Sequence, residues 1–212
     1  MLQIKDMGLW LLSLTLLGCG ANQNSNYNTQ FNSQINAGII RWDFENTDLL
    51  LDQRRILITS RINELTSKEV ISKLIFLNQK DPLAPIELYI RTTGGWLNDA
   101  FSIIDIMHSI TAPVNVHALG ICQSAGTVIL IGATGRRIAY PNSNIVPHFN
   151  RDEEVEPYSQ EKLNRERFER LWRERTTIPE EWYPLIGDRL YNLTANEALE
   201  FGIVDDISTT PR

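Results

Sequence analysis

Apolar and polar positions along this chain follow two rhythms that alternate from about residue 55 onward. Arg55-Ile56-Leu57-Ile58 is short and β-branched, which predicts a strand. Val70, Ile71, Leu74, Ile75 and Leu77 then recur at helical spacing behind Thr66-Ser67-Lys68-Glu69, whose pattern predicts a capping box. Asp81-Pro82 breaks that helix, and Ile86-Glu87-Leu88-Tyr89-Ile90 predicts a second strand. Leu97, Ala100, Phe101, Ile104 and Met107 share one face of a further helix. Val114 to Leu119 is the next strand. It leads through Gly120-Ile121-Cys122-Gln123-Ser124-Ala125-Gly126 into an apolar helix over Thr127 to Ile131.

Arg137 to Tyr140 and Asn144 to His148 follow as short extended runs. The segment Arg151 to Glu181 is dense in charge. Glu161–Arg165, Glu166–Arg170 and Glu169–Arg173 stand at i,i+4 spacing beside a narrow stripe of Phe168, Leu171 and Trp172. That helix either protrudes and covers its stripe with a neighbour or lies solvated on the surface. Thr194-Ala195-Asn196-Glu197 predicts a second capping box, Gly202 ends its helix, and Ile203 to Ile207 predicts a last strand. Strands alternating with helices imply βαβ units, and hence an α/β fold with a mainly parallel sheet.

The first 38 residues obey neither rhythm. Gly8 to Leu17 is an apolar run too short to span a bilayer but suited to a signal peptide. It ends in Leu16-Leu17-Gly18-Cys19, which resembles the bacterial lipobox, so residues 1–19 are expected to be a signal peptide that leaves Cys19 to carry lipid. A chance apolar start is the alternative. Residues 20–38, crowded with Asn, Gln and Ser, read as a solvated tether. Residues 39–212 are then the folded domain.

Composition narrows the functions. With 42% hydrophobic and 22% charged residues the chain is globular, and its net charge of −6 offers no basic field for nucleic acid. Cys19 and Cys122 are the two cysteines, and His108, His117 and His148 the three histidines. None has metal-ligand spacing, and no cofactor is implied.

Ser124 is the candidate for chemistry. A strand, a tight turn and a buried helix place it at a helix N-terminus, where unpaired N–H groups favour developing negative charge. A serine there also makes a good N-cap, and the turn alone does not decide between nucleophile and cap. It is not the G-x-S-x-G elbow, since Cys122 stands where the first glycine belongs. Thr92-Thr93-Gly94-Gly95 is a second strand-to-helix turn whose glycines let a ligand approach exposed amides.

Taken together, these blocks resemble the Clp protease proteolytic subunit family of serine peptidases. Glu87 to Ile90 with Thr92-Thr93-Gly94-Gly95 is similar to that family's strand and Ser-Pro-Gly-Gly turn. Gly120 to Gly126 is similar to its Gly-x-x-Ala-Ser-Met-Gly turn. Gly135 to Ser143, reaching His148, resembles the segment before its base, and Glu197 to Asp205 its closing helix and strand. The resemblance implies a crotonase-like fold of stacked βαβ units with a protruding handle helix, and a serine endopeptidase acting through an acyl-enzyme. It implies Ser124 as nucleophile, His148 as general base, and the amides of Gly95 and Ala125 as oxyanion hole. It further implies peptide or unfolded-protein substrates and, in the cytoplasm, an ATP-driven unfoldase; homo-oligomeric self-assembly into rings is expected because the charged helix has little core to bury within one subunit.

Three departures qualify this. Counting back from Thr194, the family's orienting aspartate falls on Leu190, with Asp188 and Asn192 two residues to either side; Asp188 is taken as the third catalytic member. Phe149 to Glu154 replaces the family's glycine-rich strand, and Trp96 follows the glycine pair where a small residue is usual. A weak or inactive scaffold subunit is therefore the alternative function. Export as a membrane-anchored lipoprotein conflicts with an ATP-driven partner, so cytoplasmic residence is the alternative location.

Overall fold

Among the described residues, seven strands form one sheet in the order β1-β2-β3-β4-β7, with β5 continuing along β3 and β6 pairing with β5. The computed structural model describes residues 49–148, 159–183 and 191–208. The chain divides into two compact units, Met1–Leu49 and Leu50–Arg212, and every described residue except Leu49 belongs to the second. The signal-peptide and tether expectations for residues 1–38 lie outside the described residues.

The strands are β1 (Arg55–Ile58), β2 (Ile86–Thr92), β3 (Val114–Gln123), β4 (Arg137–Ala139), β5 (Asn144–Val146), β6 (Leu193–Thr194) and β7 (Asp206–Ile207). Every pairing is parallel except the short β5–β6 one. Ile86, Leu88 and Ile90 of β2 and Val114, Val116 and Ala118 of β3 are fully buried. The period-2 alternation delivers them all to one face. Helices α1 (Glu64–Lys80), α2 (Leu97–Ser109) and α3 (Ala125–Ile131) complete the core there.

The first helix opens earlier than its sequence pattern suggests. Asn63 is the N-cap and accepts from the Thr66 amide at 3.0 Å, while the Thr66 hydroxyl turns back to the Arg61 carbonyl at 2.9 Å. Thr66 is thus inside the first turn rather than its cap. Leu65, in that turn, is 78% exposed and so falls off the buried face that carries the helical period. By contrast, Thr194 and Glu197 do form a capping box at α5 (Ala195–Glu200).

The charged helix α4 spans Gln160–Arg175. Its stripe does not await a neighbour: Phe168 and Trp172 are stacked on each other and fully buried within this chain. Arg175, in its last turn, donates to the Ile131 and Ala133 carbonyls at 3.3 and 2.5 Å, tying α4 to the end of α3. Of the expected ion pairs, Glu169–Arg173 forms at 3.0 Å.

β3 runs further than expected, through Gln123, because it changes partner on the way. Val116 to Ala118 pair with β4, and Ile121 to Gln123 pair with β5. Between them Gly120 takes φ +55 and the register with β2 slips, Ile90 opposing Ala118 but Thr92 opposing Cys122. A bulge at a glycine re-aims the strand without ending it. The last residues before Ser124 are therefore still held by a ladder.

Candidate active site

The register that ends β3 also fixes Ser124 beside the end of β5, two residues before His148. Gln123 pairs with Val146 in the parallel β3–β5 ladder, and the Ser124 amide donates to the Val146 carbonyl at 3.0 Å. His148 is two residues beyond that carbonyl. Val114–Gln123 and Asn144–Val146 are thus adjoining strands that run to the same end of the sheet, where neighbouring strands lie about 4.8 Å apart.

Ser124 sits at φ +54 and ψ −123, a region that non-glycine residues occupy at a cost of about 1–3 kcal/mol. Although it holds the N-cap position of α3, its side chain makes no capping bond. The first turn is closed instead through its carbonyl, which accepts from the Thr127 amide at 2.8 Å and the Thr127 hydroxyl at 2.6 Å. The capping role that competed with the nucleophile role is therefore not taken up. The hydroxyl remains without a hydrogen bond among the described residues.

His148 is half-buried, and burial pushes its imidazole below the ordinary value of 6.5. At neutral pH it is the uncharged form, able to accept a proton. No hydrogen bond joins it to Ser124 Oγ among the described residues; such bonds often tighten only when substrate is bound.

The glycine turn closes over the serine from the β2 side. A Cβ on Gly94 would stand 2.6 Å from Ser124 Cβ, so only a glycine lets the two turns approach. Ile62 bridges Gly95 in parallel fashion, donating to the Gly94 carbonyl and accepting from the Trp96 amide, each at 2.9 Å. In that pattern the bridged residue's own N–H faces away from its partner. The Gly95 amide consequently has no backbone partner among the described residues. Ala125, buried as the first residue of α3, likewise has an amide beyond the reach of intrahelical bonding. Among the described residues, two N–H groups without a backbone partner thus flank a hydroxyl without a hydrogen bond, an arrangement suited to stabilising an oxyanion during acyl transfer.

Sequence reasoning missed Thr92. Its hydroxyl donates to the Ser60 carbonyl at 2.7 Å and accepts from the Gly94 amide at 3.1 Å, fixing the turn to the β1–α1 connection. Its Cγ2 would stand 2.6 Å from a Cβ on Gly126, which is why that position is glycine. A threonine two residues before a glycine pair, close enough to hold the turn's first amide, was the available signal.

The remaining candidates fall away from the site or outside it. Asp188, Leu190 and Cys19 lie outside the described residues. Asn192 accepts from Asn144 Nδ2 at 2.8 Å. Asn144 is four residues before His148, roughly 13 Å along an extended chain, so this amide is committed elsewhere. His117 is bound through Nε2 to Glu87 at 2.6 Å and stacked on Tyr89 at 4.3 Å between ring centres. His108 meets the Gly132 carbonyl at 3.1 Å. Both are structural. Cys122 is fully buried and its thiol is pushed up to about 12, far from reactive thiolate chemistry.

Residues 42–211 match the family model described as Clp protease. The chain is 32% identical over 176 residues to the ATP-dependent Clp protease proteolytic subunit 3 of Streptomyces coelicolor, an overlap covering 79% of this chain and 81% of that one. It is also 32% identical over 176 residues to the ATP-dependent Clp protease proteolytic subunit of Dehalococcoides mccartyi, covering 79% and 88%.

Proposed function

The chain belongs to the Clp protease family, and we propose that it is a serine endopeptidase cleaving peptide bonds through an acyl-enzyme on Ser124. The observation carrying this is the Ser124 hydroxyl, held at a strained turn beside the amides of Gly95 and Ala125, all three without a hydrogen-bond partner among the described residues. In this reading Ser124 Oγ attacks the scissile carbonyl while neutral His148 takes its proton. The Gly95 and Ala125 amides receive the oxygen's negative charge. His148 then gives the proton to the leaving amine, and water, deprotonated in turn by His148, releases the acyl group. Asp188 is assigned the orienting role on the imidazole. A fluorophosphonate that labels the wild type but not Ser124→Ala supports the assignment; absence of labelling in folded wild type rejects it.

A catalytically weak scaffold subunit is the second reading, favoured by one observation: the His148 ring has no hydrogen-bond partner among the described residues. An orienting aspartate changed to asparagine typically lowers kcat by about 10⁴. A comparable loss in Asp188→Asn supports the triad, whereas an unchanged low rate supports the scaffold.

The relatives are named as subunits of ATP-dependent proteases, and we extend assembly into a homo-oligomeric ring to this chain; sedimentation tests it. Partnership with an ATP-driven unfoldase goes with a cytoplasmic location. Lipid on Cys19, detectable by mass spectrometry, goes with an exported one. Among the described residues no helix is long and apolar enough to cross a membrane.

A further inference from the structure

We propose that Thr92 is a positioning residue for the reaction: its hydroxyl holds the Gly94–Gly95 peptide in the one orientation that aims the Gly95 amide at the reacting carbonyl. This rests on the reading of Ser124 and Gly95 as the site, and it adds a residue that acts on turnover without touching substrate.

Nothing in the glycine pair itself fixes that orientation. Gly94 sits at φ +96, where a residue without Cβ meets no barrier, so the peptides on either side of it turn at little cost. Hydrogen bonds have to hold them instead. The Gly94 carbonyl accepts from the Ile62 amide at 2.9 Å. Because the C=O and N–H of a trans peptide point opposite ways, that bond aims the Gly95 N–H away from Ile62. The other end of Gly94 is held by Thr92, whose Oγ1 accepts from the Gly94 amide at 3.1 Å.

The Thr92 hydroxyl has one proton. It goes to the Ser60 carbonyl at 2.7 Å rather than to the Gly94 carbonyl at 3.5 Å, so the oxygen meets the Gly94 N–H with a lone pair. Both ends of Gly94 are thereby tied to the β1–α1 connection, one through Thr92 to Ser60 and one directly to Ile62. Thr92 is 3% exposed, and without its hydroxyl the buried Gly94 N–H must turn to find another acceptor. The aim of the next amide turns with it. The methyl branch serves a different end: Cγ2 would stand 2.6 Å from a Cβ on Gly126, so it fills space beside the first turn of α3. Valine keeps that methyl and loses the hydroxyl, whereas serine does the reverse.

The test is steady-state kinetics of full-chain Thr92→Val and Thr92→Ser on one fluorogenic peptide. Values of kcat are taken per fluorophosphonate-labelled Ser124, so that unfolded protein does not count. Thr92→Val should lose about a hundredfold in kcat with KM near wild type, the scale of a lost oxyanion donor. Its Ser124 should still label to completion, but more slowly, because the phosphonyl oxygen leans on the same amide. Thr92→Ser should keep kcat near wild type while its thermal midpoint falls, having lost a buried methyl. Unchanged kcat in Thr92→Val, with wild type labelled, overturns the role of Thr92 and leaves the serine assignment standing. Equal loss of kcat in both variants also overturns it, since packing rather than the hydroxyl would then set the rate. A rise in KM without a fall in kcat overturns it by assigning the hydroxyl to substrate binding. Failure to label wild type overturns this role and the serine reading together.

Discussion

The two halves of β3 differ in what they do with the same material. Before Gly120 the strand is a ladder between β2 and β4, with Val114, Val116 and Ala118 buried and His117 bound to Glu87. After Gly120 it transfers to β5 and leads into Ser124, which has positive φ, a hydroxyl without a hydrogen bond among the described residues, and the Gly95 and Ala125 amides close by. The first half spends its polar groups on structure. The second holds them back, and its strain persists because the Val146 carbonyl, Thr92 and buried α3 fix the turn from three sides. A single bulge separates stability from chemistry.

The largest expected effect lies wholly in the second half. Ser124→Ala and His148→Ala should each lower kcat/KM toward peptides by 10⁴-fold or more, on the order seen when a nucleophile or its base is removed. Thermal midpoints should stay near wild type, or rise for Ser124→Ala if alanine were tolerated at that turn. Comparable activity in either variant would dissolve the contrast.

Gly95→Ala should damage both halves at once. Its new Cβ would fall 1.9 Å from the Ile62 carbonyl oxygen, so the bridge must open. A loss of about 3 kcal/mol in denaturant unfolding is expected, with peptide hydrolysis falling further than stability alone explains. His117→Ala sharpens the comparison from the other side. It removes a stacked ring and leaves the Glu87 carboxylate without its imidazole, which should cost about 2 kcal/mol. Below the melting range its kcat should match wild type. A loss of activity as large as that of His148→Ala would mean that the halves are not separable.

The smallest expected effect is on pH dependence. Burial disfavours the charged imidazole of His148, so its folded pKa lies below 6.5. The proton-accepting form is then complete at neutral pH, and kcat/KM should decline only as pH falls through an apparent value below 6.5. The sign follows for stability too: the unfolded chain binds this proton more readily, so acid favours unfolding through this group. An acid limb lying above 6.5 would contradict the assigned base.

Much of this was legible in the sequence because burial leaves a periodic trace. Arg55 to Ile58 and the face of Leu97, Ala100, Ile104 and Met107 could be read from spacing alone. So could the Thr194–Glu197 capping box, whose two side chains need only each other and the local backbone. Ser124 could be named, but not its positive φ or its refusal to cap, since these depend on Val146 and Thr92, more than twenty residues away in either direction. Gly120 illustrates the same limit. The exchange of β4 for β5 that makes its positive φ necessary is a property of the whole sheet. The start of α1 was misread for the opposite reason, because the exposed Leu65 hides the helical period in the first turn.

Thr92 claims the Gly94 amide, so of the two neighbouring glycines only one offers a donor to a guest. In the proposed reaction a visiting carbonyl thus has a single amide seat on that side, and the second donor has to come across the turn from Ala125.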